Sequence, residues 1–264
     1  MEPKLESEKS KFKVLGDMYG GSSARYLAFR PQYPDEFYEF LYEHLGQKRD
    51  LALDVGCGNG QATFKLSLWF SKIIGIDPSV NQIKNAIQAH NIEYRNLPAE
   101  DTGLDSNSFD LITVAQAIHW FNLPFFFEES KRILKKDGVL AFWTYKDFRI
   151  TNNQECENIN KILYEETFYK YFAPERQLVV DGYKDIIPPF ENIIRKTFRH
   201  TIKISIGQLL GIYSTSSGYQ KYVLHNSDPL PQIQQRFLQN YNTTNLNDQV
   251  IQGYWDISIV ICKN

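Results

Sequence analysis

The sequence predicts an α/β protein with a doubly wound, mostly parallel seven-stranded sheet and helical insertions that form a lid. Short apolar segments alternate with segments of helix length between Leu51 and Tyr145. A glycine-rich turn follows the first of them, and two more strand-like segments occur near the C-terminus after a long helical insertion. Strands separated by helix-length connections are typical of βαβ units with parallel strands and right-handed crossovers.

We predict one domain over residues 1–264, a length that can bury a substantial core. Residues 1–45 are expected to form an N-terminal arm and a helix. Residues 46–146 are expected to form a cofactor-binding core, and residues 147–264 the lid helices and the last two strands.

The elements of the core follow from hydrophobic periodicity and from Gly and Pro at their ends. A helix is predicted over Pro34–Leu45, because apolar residues recur at helical spacing after two acidic residues in the first turn. The five predicted strands of the core are Leu51–Val55, Ile73–Ile76, Ile92–Arg95, Phe109–Val114 and Val139–Tyr145. The three helices between them are Gln61–Ser71, Pro78–Ala89 and Leu123–Leu134, the last stopped by a turn over Lys135–Gly138.

The pattern changes after Tyr145. Ile193–Ile206 alternates in polarity as a half-buried strand does, and Tyr254–Cys262 reads as a final strand. The predicted lid helices are Asn152–Phe172, Gln208–Tyr222 and Pro231–Tyr241, with an irregular stretch over Asp181–Pro189.

Composition restricts the class of function. Lys and Arg total 29 against 31 Asp and Glu, a net charge of −2, whereas dedicated nucleic-acid binders usually carry a basic excess. Three cysteines without paired spacing favour a reducing compartment, and no apolar segment has the length of a membrane span. We therefore expect a cytoplasmic protein, a monomer or weak dimer, with neither a nucleic-acid nor a membrane partner. The His and Cys residues have no metal-ligand spacing, so no metal is expected.

The most informative segment is the turn Asp54–Gly60, between the first strand and the next helix. Gly56, Gly58 and Gly60 allow close approach of a ligand and turns that other residues disfavour. Ligands bind at this end of the first strand in doubly wound sheets. Cys57, inside the turn, is interpreted as a small buried filler rather than a nucleophile, because no basic residue beside it in the sequence would lower its pKa.

Asp77 ends the second strand, roughly 20 residues after the turn, where an acidic side chain can bind a ribose diol. These two features predict a site for a nucleoside-containing cofactor. A dinucleotide-binding turn would have a third glycine where this sequence has Gln61.

The turn resembles the first motif of class I S-adenosylmethionine-dependent methyltransferases. Ile74–Ser79 resembles their second-strand motif, Leu97–Glu100 their loop beside the adenine ring, and Phe109–Ile112 their fourth strand. The resemblance covers roughly the segment from Leu51 to Trp143, with the motifs in the order of the family. It implies S-adenosyl-L-methionine as cofactor and a site of 13 residues: Tyr26, Arg30, Asp54, Gly56, Cys57, Gly58, Gly60, Asp77, Pro78, Ala99, Glu100, Ala115 and Gln116.

A narrower resemblance concerns Ala115–Phe121, which is similar to a segment of the trans-aconitate methyltransferase-like branch. Tyr26 and Arg30–Pro34 resemble the same branch upstream, and its N-terminal arm implies that Arg30 meets the methionine carboxylate. Ser214–Gln220 matches that branch only loosely, because it has no Trp. The branch implies a small-molecule acceptor, with a carboxylic acid the first candidate for O-methylation.

His119 and Trp120 are the predicted acceptor-binding residues. His119 is read as a wall of the pocket, with a general base as the alternative if the acceptor is a hydroxyl or an amine. A carboxylate acceptor would need a cation, for which Arg30, Arg199 and His200 are candidates. Three other functions stay open: methylation of a protein, an NAD-dependent oxidoreductase, and a catalytically silent S-adenosylmethionine-binding protein.

Overall fold

The computed structural model describes residues 33–47 and 49–263. The two arm residues predicted to contact the cofactor, Tyr26 and Arg30, lie outside the described residues. Within the described residues, no helix is both long enough and apolar enough to span a bilayer.

The sheet of the described residues has eight strands in the order β3-β2-β1-β4-β5-β8-β6, with β7 on the free side of β8. The eighth strand, which we did not predict, is the two-residue β6. The strands are β1 (Leu51–Val55), β2 (Lys72–Ile76), β3 (Ile92–Arg95), β4 (Phe109–Ala115), β5 (Leu134–Tyr145), β6 (Arg149–Ile150), β7 (Asn192–Ile204) and β8 (Ile251–Lys263).

The five strands of the core are parallel and the additions are antiparallel. β1 pairs with β2 and with β4 in parallel, and β2 with β3 likewise. β8 pairs antiparallel with β5, β6 and β7. The chain order of the strands reverses between β1 and β4, which is where doubly wound sheets bind ligands. The predicted doubly wound, mostly parallel sheet is confirmed, with eight strands in place of seven.

Helices cover both faces of this sheet. One face buries Phe37, Trp143 and Tyr213, and the other buries Phe126 and Phe142. The neighbouring β5 residues Phe142 and Trp143 therefore pack on opposite faces of the sheet, in two different cores. The helices are α1 (Asp35–Glu43), α2 (Gln61–Leu66), α3 (Val80–Lys84), α4 (Leu123–Ile133), α5 (Gln154–Ile162), α6 (Arg176–Val180), α7 (Ile206–Ser214), α8 (Ser217–Tyr222) and α9 (Leu230–Asn240).

Two helices of the core are shorter than predicted. α2 ends at Leu66 rather than at Ser71, and Trp69, beyond its end, is 45% exposed and lies against the ring of Tyr42. α3 ends at Lys84 rather than at Ala89, and Val80, its first residue, is 49% exposed. Apolar residues recur at helical spacing beyond the ends of both helices, so the periodicity does not show where the helices end.

The predicted turn over Lys135–Gly138 is wrong. These residues belong to β5, whose pairing with β4 contains a register shift: Phe109 pairs with Leu134 and Leu111 with Val139. Extra residues on one strand of a pair form a bulge. The residues of this bulge are charged and include a Gly, so their sequence resembles that of a turn.

The lid helices are broken where the sequence suggested continuous ones. The segment predicted as helix over Asn152–Phe172 comprises α5, a π-helical turn over Leu163–Thr167 and a 3-10 turn over Tyr169–Tyr171. The second predicted helix divides because the Ser216 side chain accepts a hydrogen bond from the Tyr219 backbone N–H and starts α8. α6 was not predicted.

Candidate active site

A cavity of about 290 Å³ lies at the carboxyl ends of β1, β2, β4 and β5. The turns that follow these four strands supply most of its wall, and residues of the lid complete it. Nine of the sequence-predicted site residues line it: Gly56, Cys57, Gly58, Asp77, Pro78, Ala115, Gln116, His119 and Trp120.

The glycine turn has three residues with positive φ: Gly56 at 66°, Gly58 at 55° and Gly60 at 82°. A Cβ on Gly56 would lie 2.6 Å from the Ala117 Cβ, so this glycine lets the ends of β1 and β4 meet. A Cβ on Gly58 would meet nothing within 4 Å, because Gly58 borders the cavity. The turn therefore presents backbone to the space that a ligand would fill.

Asp77 is a buried carboxylate that binds the turn. Its Oδ2 accepts the Gly58 backbone N–H at 2.9 Å, and its Oδ1 accepts the Ser79 backbone N–H at 2.8 Å. Burial raises the pKa of Asp77, and these two hydrogen bonds oppose that rise. An ionised carboxylate has about four lone-pair sites, so both oxygens can still accept a bond from a ribose hydroxyl.

Four predicted cofactor residues do not line the cavity: Asp54, Gly60, Ala99 and Glu100. Gly60 packs against the Tyr94 hydroxyl, and Ala99 is buried in a core cluster. The Glu100 carboxylate accepts the Asn122 backbone N–H at 2.9 Å and so holds the start of α4.

Asp54 acts inside the protein rather than at the cavity wall. Its carboxylate accepts hydrogen bonds from the hydroxyls of Thr63 at 2.6 Å and Thr113 at 2.8 Å, on α2 and β4. Complete burial raises the pKa of Asp54 to about 6. The residue ties β1 to both neighbours and thereby fixes the base of the glycine turn.

Gln116 follows β4 directly and has an unusual backbone, with φ at 59°. Its Oε1 accepts a hydrogen bond from the Thr144 hydroxyl at 2.8 Å. Its Nε2 is buried without a hydrogen-bond partner among the described residues. An unsatisfied buried donor beside a cavity is a sign of a ligand that completes it.

The His119 ring lies 4.7 Å from the Trp120 ring and bonds through Nδ1 to the Tyr183 hydroxyl at 2.7 Å. Burial, and then the positive charge of Arg176, lower the pKa of His119 to about 3. The imidazole is therefore neutral near pH 7 and cannot serve as a cation for an acidic ligand.

Cys57 faces the cavity but is not set up as a nucleophile. Burial, together with the carboxylates of Asp54 and Asp77, raises the pKa of its thiol well above the usual value. The thiol stays protonated, which agrees with its interpretation as a small filler.

The lid contributes residues that sequence reasoning missed. Lys146 directly follows β5, so its place at the end of a parallel strand could have indicated it. Arg176 lies in a segment without periodicity, and no pattern indicates it. The other missed residues of the wall include Asp147, Tyr164, Phe172, Ser216 and Ser217.

Arg176 stands where this cavity meets a second one of about 690 Å³, and both share Lys146 and Phe172. Its Nη2 donates to both oxygens of Asp147, at 2.5 and 2.7 Å. The guanidinium also lies 3.8 Å from the centroid of the Phe172 ring. Nε and Nη1 have no recorded partner among the described residues and remain available as donors.

The two other described candidates for a cation lie elsewhere. Arg199, on β7, pairs with Asp256 at 2.9 Å and covers the Tyr254 ring. Neither Arg199 nor His200 lines either of the two cavities.

Comparison with known proteins places this site in a family. Residues 53–142 match the family described as "Methyltransferase domain". A Dictyostelium discoideum protein named as a methyltransferase is 45% identical over 249 residues, which cover 94% of this chain and 95% of the relative. A yeast (Saccharomyces cerevisiae) protein named as an S-adenosylmethionine-dependent methyltransferase is 35% identical over 158 residues, 56% of this chain and 51% of the relative.

Among solved structures, a type II methyltransferase from Anaeromyxobacter dehalogenans is 30% identical with a TM-score of 0.78, over 89% of this chain and 98% of that one. The fold, the glycine turn and these relatives define a class I methyltransferase. The chain belongs to the methyltransferase family, and it is an S-adenosylmethionine-dependent enzyme.

Three observations fit S-adenosylmethionine to the cavity. Open space adjoins Gly58, a carboxylate of Asp77 lies at the end of β2, and the Gln116 Nε2 has no partner among the described residues. S-adenosylmethionine supplies a methyl group on a positively charged sulfur, which leaves as a neutral thioether.

Proposed function

We propose that this enzyme methylates a small organic molecule that bears a carboxylate, with the carboxylate oxygen as the first candidate for the methyl acceptor. The observation that carries the proposal is the pair of cations, Lys146 and Arg176, where the cofactor cavity continues into the larger one. Two positive side chains at one wall favour an anionic ligand.

The Arg176 guanidinium is prepared for this role by its neighbours. Asp147 accepts hydrogen bonds from Nη2 only, and the Phe172 ring packs against one face of the planar guanidinium. An Arg held in this way loses little side-chain entropy on binding and keeps the N–H groups of Nε and Nη1 as separate donors. The exposed Lys146 ammonium has no recorded ion pair among the described residues and adds a second positive charge.

The residues around the cavity also have to align the acceptor. Methyl transfer is an in-line displacement, so its rate depends on holding the nucleophilic oxygen on the axis of the transferred methyl. His119 and Trp120 border the cavity beside the end of β4, and lid residues such as Phe172 border it from the other side. Enclosure excludes water from the reacting atoms. An ionised carboxylate needs no proton removal.

The assignment to the trans-aconitate methyltransferase-like branch belongs to the same proposal. Two serines of the segment compared with that branch, Ser216 and Ser217, line the cavity. Their position at the wall supports a role for this segment in acceptor binding, although it has no Trp.

A second candidate acceptor is a hydroxyl or an amine. The observation that favours it is the neutral His119 imidazole, whose Nε2 could take a proton. With a pKa of about 3, this base is weak, so such an acceptor would itself need an acidic proton.

The test is a screen of acids, phenols, amines and thiols for release of S-adenosylhomocysteine. We expect turnover among the acids, and we expect Arg176→Gln to reduce it through the acceptor KM. Arg199→Gln is a matched control, because Arg199 also pairs with a carboxylate and covers an aromatic ring. Turnover confined to uncharged acceptors, or to a protein substrate, would overturn the proposal.

A further inference from the structure

The second cavity, of about 690 Å³, is larger than the cavity of about 290 Å³ at the glycine turn. Organic ligands in proteins usually occupy cavities of roughly 300–1,000 Å³. S-adenosylmethionine is itself a ligand of this size class, so it leaves little room for an acceptor beside the glycine turn. The second cavity adjoins the first, since Lys146, Phe172 and Arg176 line both. It is therefore the space into which the body of an acceptor can extend.

The wall of the second cavity lies outside the segment that matches the methyltransferase family. The match covers residues 53–142, whereas every residue of this wall lies between Lys146 and Asp256. The glycine turn and the segment after β4 do not reach it. The second cavity is thus a feature of the lid and of β8, separate from the cofactor site.

Positive charge is in excess on this wall. Its three carboxylates, those of Asp147, Glu165 and Asp256, are each paired with an arginine, at 2.5, 3.3 and 2.9 Å. Lys146 and Lys170 have no recorded carboxylate partner within the described part of the chain. The wall therefore attracts an anionic molecule and repels a cationic one.

Aromatic rings form much of the apolar part of the wall. Phe172 and Tyr254 each have a guanidinium over the ring, at 3.8 and 3.9 Å from the centroid, and Tyr164 lies nearly parallel to Phe172. Tyr169 differs from these three. It is 65% exposed, and its side chain has no recorded ring, cation or hydrogen-bond partner among the described residues. An uncovered aromatic ring on a cavity wall offers a stacking surface to a planar ligand.

The backbone before Tyr169 accounts for its position. A π-helical turn over Leu163–Thr167 follows α5, and the Phe168 backbone N–H donates to the Leu163 carbonyl at 2.8 Å, five residues back. Phe168 is fully buried, and a 3-10 turn then begins at Tyr169. The irregular end of the helix therefore places Phe168 in the core and Tyr169 at the cavity. π-Helical turns are frequent at functional sites.

We propose that the second cavity binds the body of the methyl acceptor, and that this body is a planar aromatic group that stacks on Tyr169. The acceptor is then an aromatic acid whose carboxylate lies beside Arg176, at the junction of the two cavities. That the acceptor is an acid rests on the proposed function. The aromatic subsite does not, because it can be tested without turnover.

The subsite is tested by calorimetry on enzyme saturated with S-adenosylhomocysteine. The two probes are 2-naphthoate and its saturated analogue, decahydro-2-naphthoate, which has the same carbon skeleton and charge. 2-Naphthoate should bind about tenfold more tightly, because only a planar ring can stack. This preference should disappear in Tyr169→Ala. Equal affinities of the two probes for the wild type would overturn the proposal.

Tyr171→Ala is the matched control. Tyr171 belongs to the same 3-10 turn but lines neither of the two cavities, and its ring centroid lies 5.3 Å from that of Tyr222. This variant should keep the tenfold preference for 2-naphthoate. Loss of the preference in both variants would overturn the assignment to Tyr169.

Val180→Trp tests the cavity by a second route. Val180 ends α6, is 41% exposed and lines only the second cavity. An indole there should occupy part of the cavity and weaken binding of 2-naphthoate by at least about tenfold. The affinity for S-adenosylhomocysteine should stay unchanged. Ile187→Trp is the control, because Ile187 is 81% exposed outside both cavities. Undiminished binding of 2-naphthoate in Val180→Trp would overturn the proposal.

Turnover separates this inference from the proposed function. Aromatic acids should have an acceptor KM about tenfold lower than their saturated analogues, and Tyr169→Ala should remove the difference. If only uncharged aromatic molecules are methylated, with the same loss in Tyr169→Ala, the proposed function fails and the aromatic subsite stands. If acids are methylated without preference for aromatic ones, the proposed function holds and the aromatic subsite is overturned.

Discussion

The two sides of the cavity are built in different ways. On the cofactor side, the wall consists of consecutive residues of short turns after β1, β2 and β4, and backbone geometry dominates. Gly56 and Gly58 adopt positive φ there, and Asp77 holds the turn through backbone N–H groups. On the acceptor side, the wall consists of side chains from distant segments, including Lys146 and Arg176.

This difference determines which residues of the cavity wall can be substituted without loss of the local structure. A wall made of backbone in a turn requires particular residues at particular positions, and each substitution there changes the conformation. A wall made of side chains on lid helices can change its charge or size one residue at a time while the sheet stays intact. We expect the cofactor side to be shared with relatives, and the acceptor side to determine which molecule is methylated.

The largest expected effect is on the cofactor side. Gly58→Val should abolish binding of S-adenosylhomocysteine, because Val disfavours a φ of 55° and would fill the open space of the cavity. Isothermal titration calorimetry should show a loss of at least about a hundredfold in affinity, which corresponds to about 3 kcal/mol.

Gly103→Val controls for strain in that experiment. Gly103 has a similar φ of 63° and open space around its Cβ position, but it does not line the cavity. This variant should lose stability and keep its affinity. Equal losses of affinity in both variants would mean that strain, and not occupation of the cavity, explains the effect.

Asp77→Ala should weaken binding of S-adenosylhomocysteine by about thirtyfold, the effect of losing a charge-assisted hydrogen bond of about 2 kcal/mol. Asp77 also holds the Gly58 N–H, so the ribose contact has to be separated from the support of the turn. An S-adenosylhomocysteine analogue without ribose hydroxyls makes this separation. If Asp77 binds the ribose, wild type and variant should bind the analogue about equally. A thirtyfold difference for the analogue as well would mean that Asp77 supports the glycine turn and does not bind the ribose.

The same contrast explains what the sequence could predict. The order of strands, the glycine turn and the position of Asp77 follow from local patterns, because each is specified by a few neighbouring residues. The ends of α2 and the bulge in β5 do not, since tertiary pairing decides them. Arg176 could not be predicted, because only the folded lid brings it to the end of β5. Asp54 shows the opposite case: it belongs to the motif, but its carboxylate accepts hydrogen bonds from two threonines inside the protein.

On the acceptor side, Arg176→Gln should raise the acceptor KM by about tenfold and leave the affinity for S-adenosylhomocysteine unchanged. The loss has two causes: a cation disappears, and the Asp147 carboxylate, until then paired, repels the acidic acceptor. Steady-state kinetics on an identified acid, with Arg199→Gln in parallel, provide the measurement. An equal rise of the acceptor KM in both arginine variants would mean that the net charge of the protein, and not a contact in the cavity, causes the effect.

The smallest effect concerns His119, which lies between the two sides. Its folded-state pKa of about 3 is below the ordinary value near 6.5, so between these values the unfolded chain binds more protons. The free energy of unfolding should therefore fall with decreasing pH, by about 1 kcal/mol between pH 6 and pH 5 on account of this one group. His119→Gln lacks the titration, so the difference between wild type and variant should shrink by that amount in urea unfolding at the two pH values. An unchanged difference would mean that His119 titrates with its ordinary pKa in the folded protein. A difference that grows as the pH falls would mean that folding favours the protonated imidazole, which would then be a third cation beside Lys146 and Arg176.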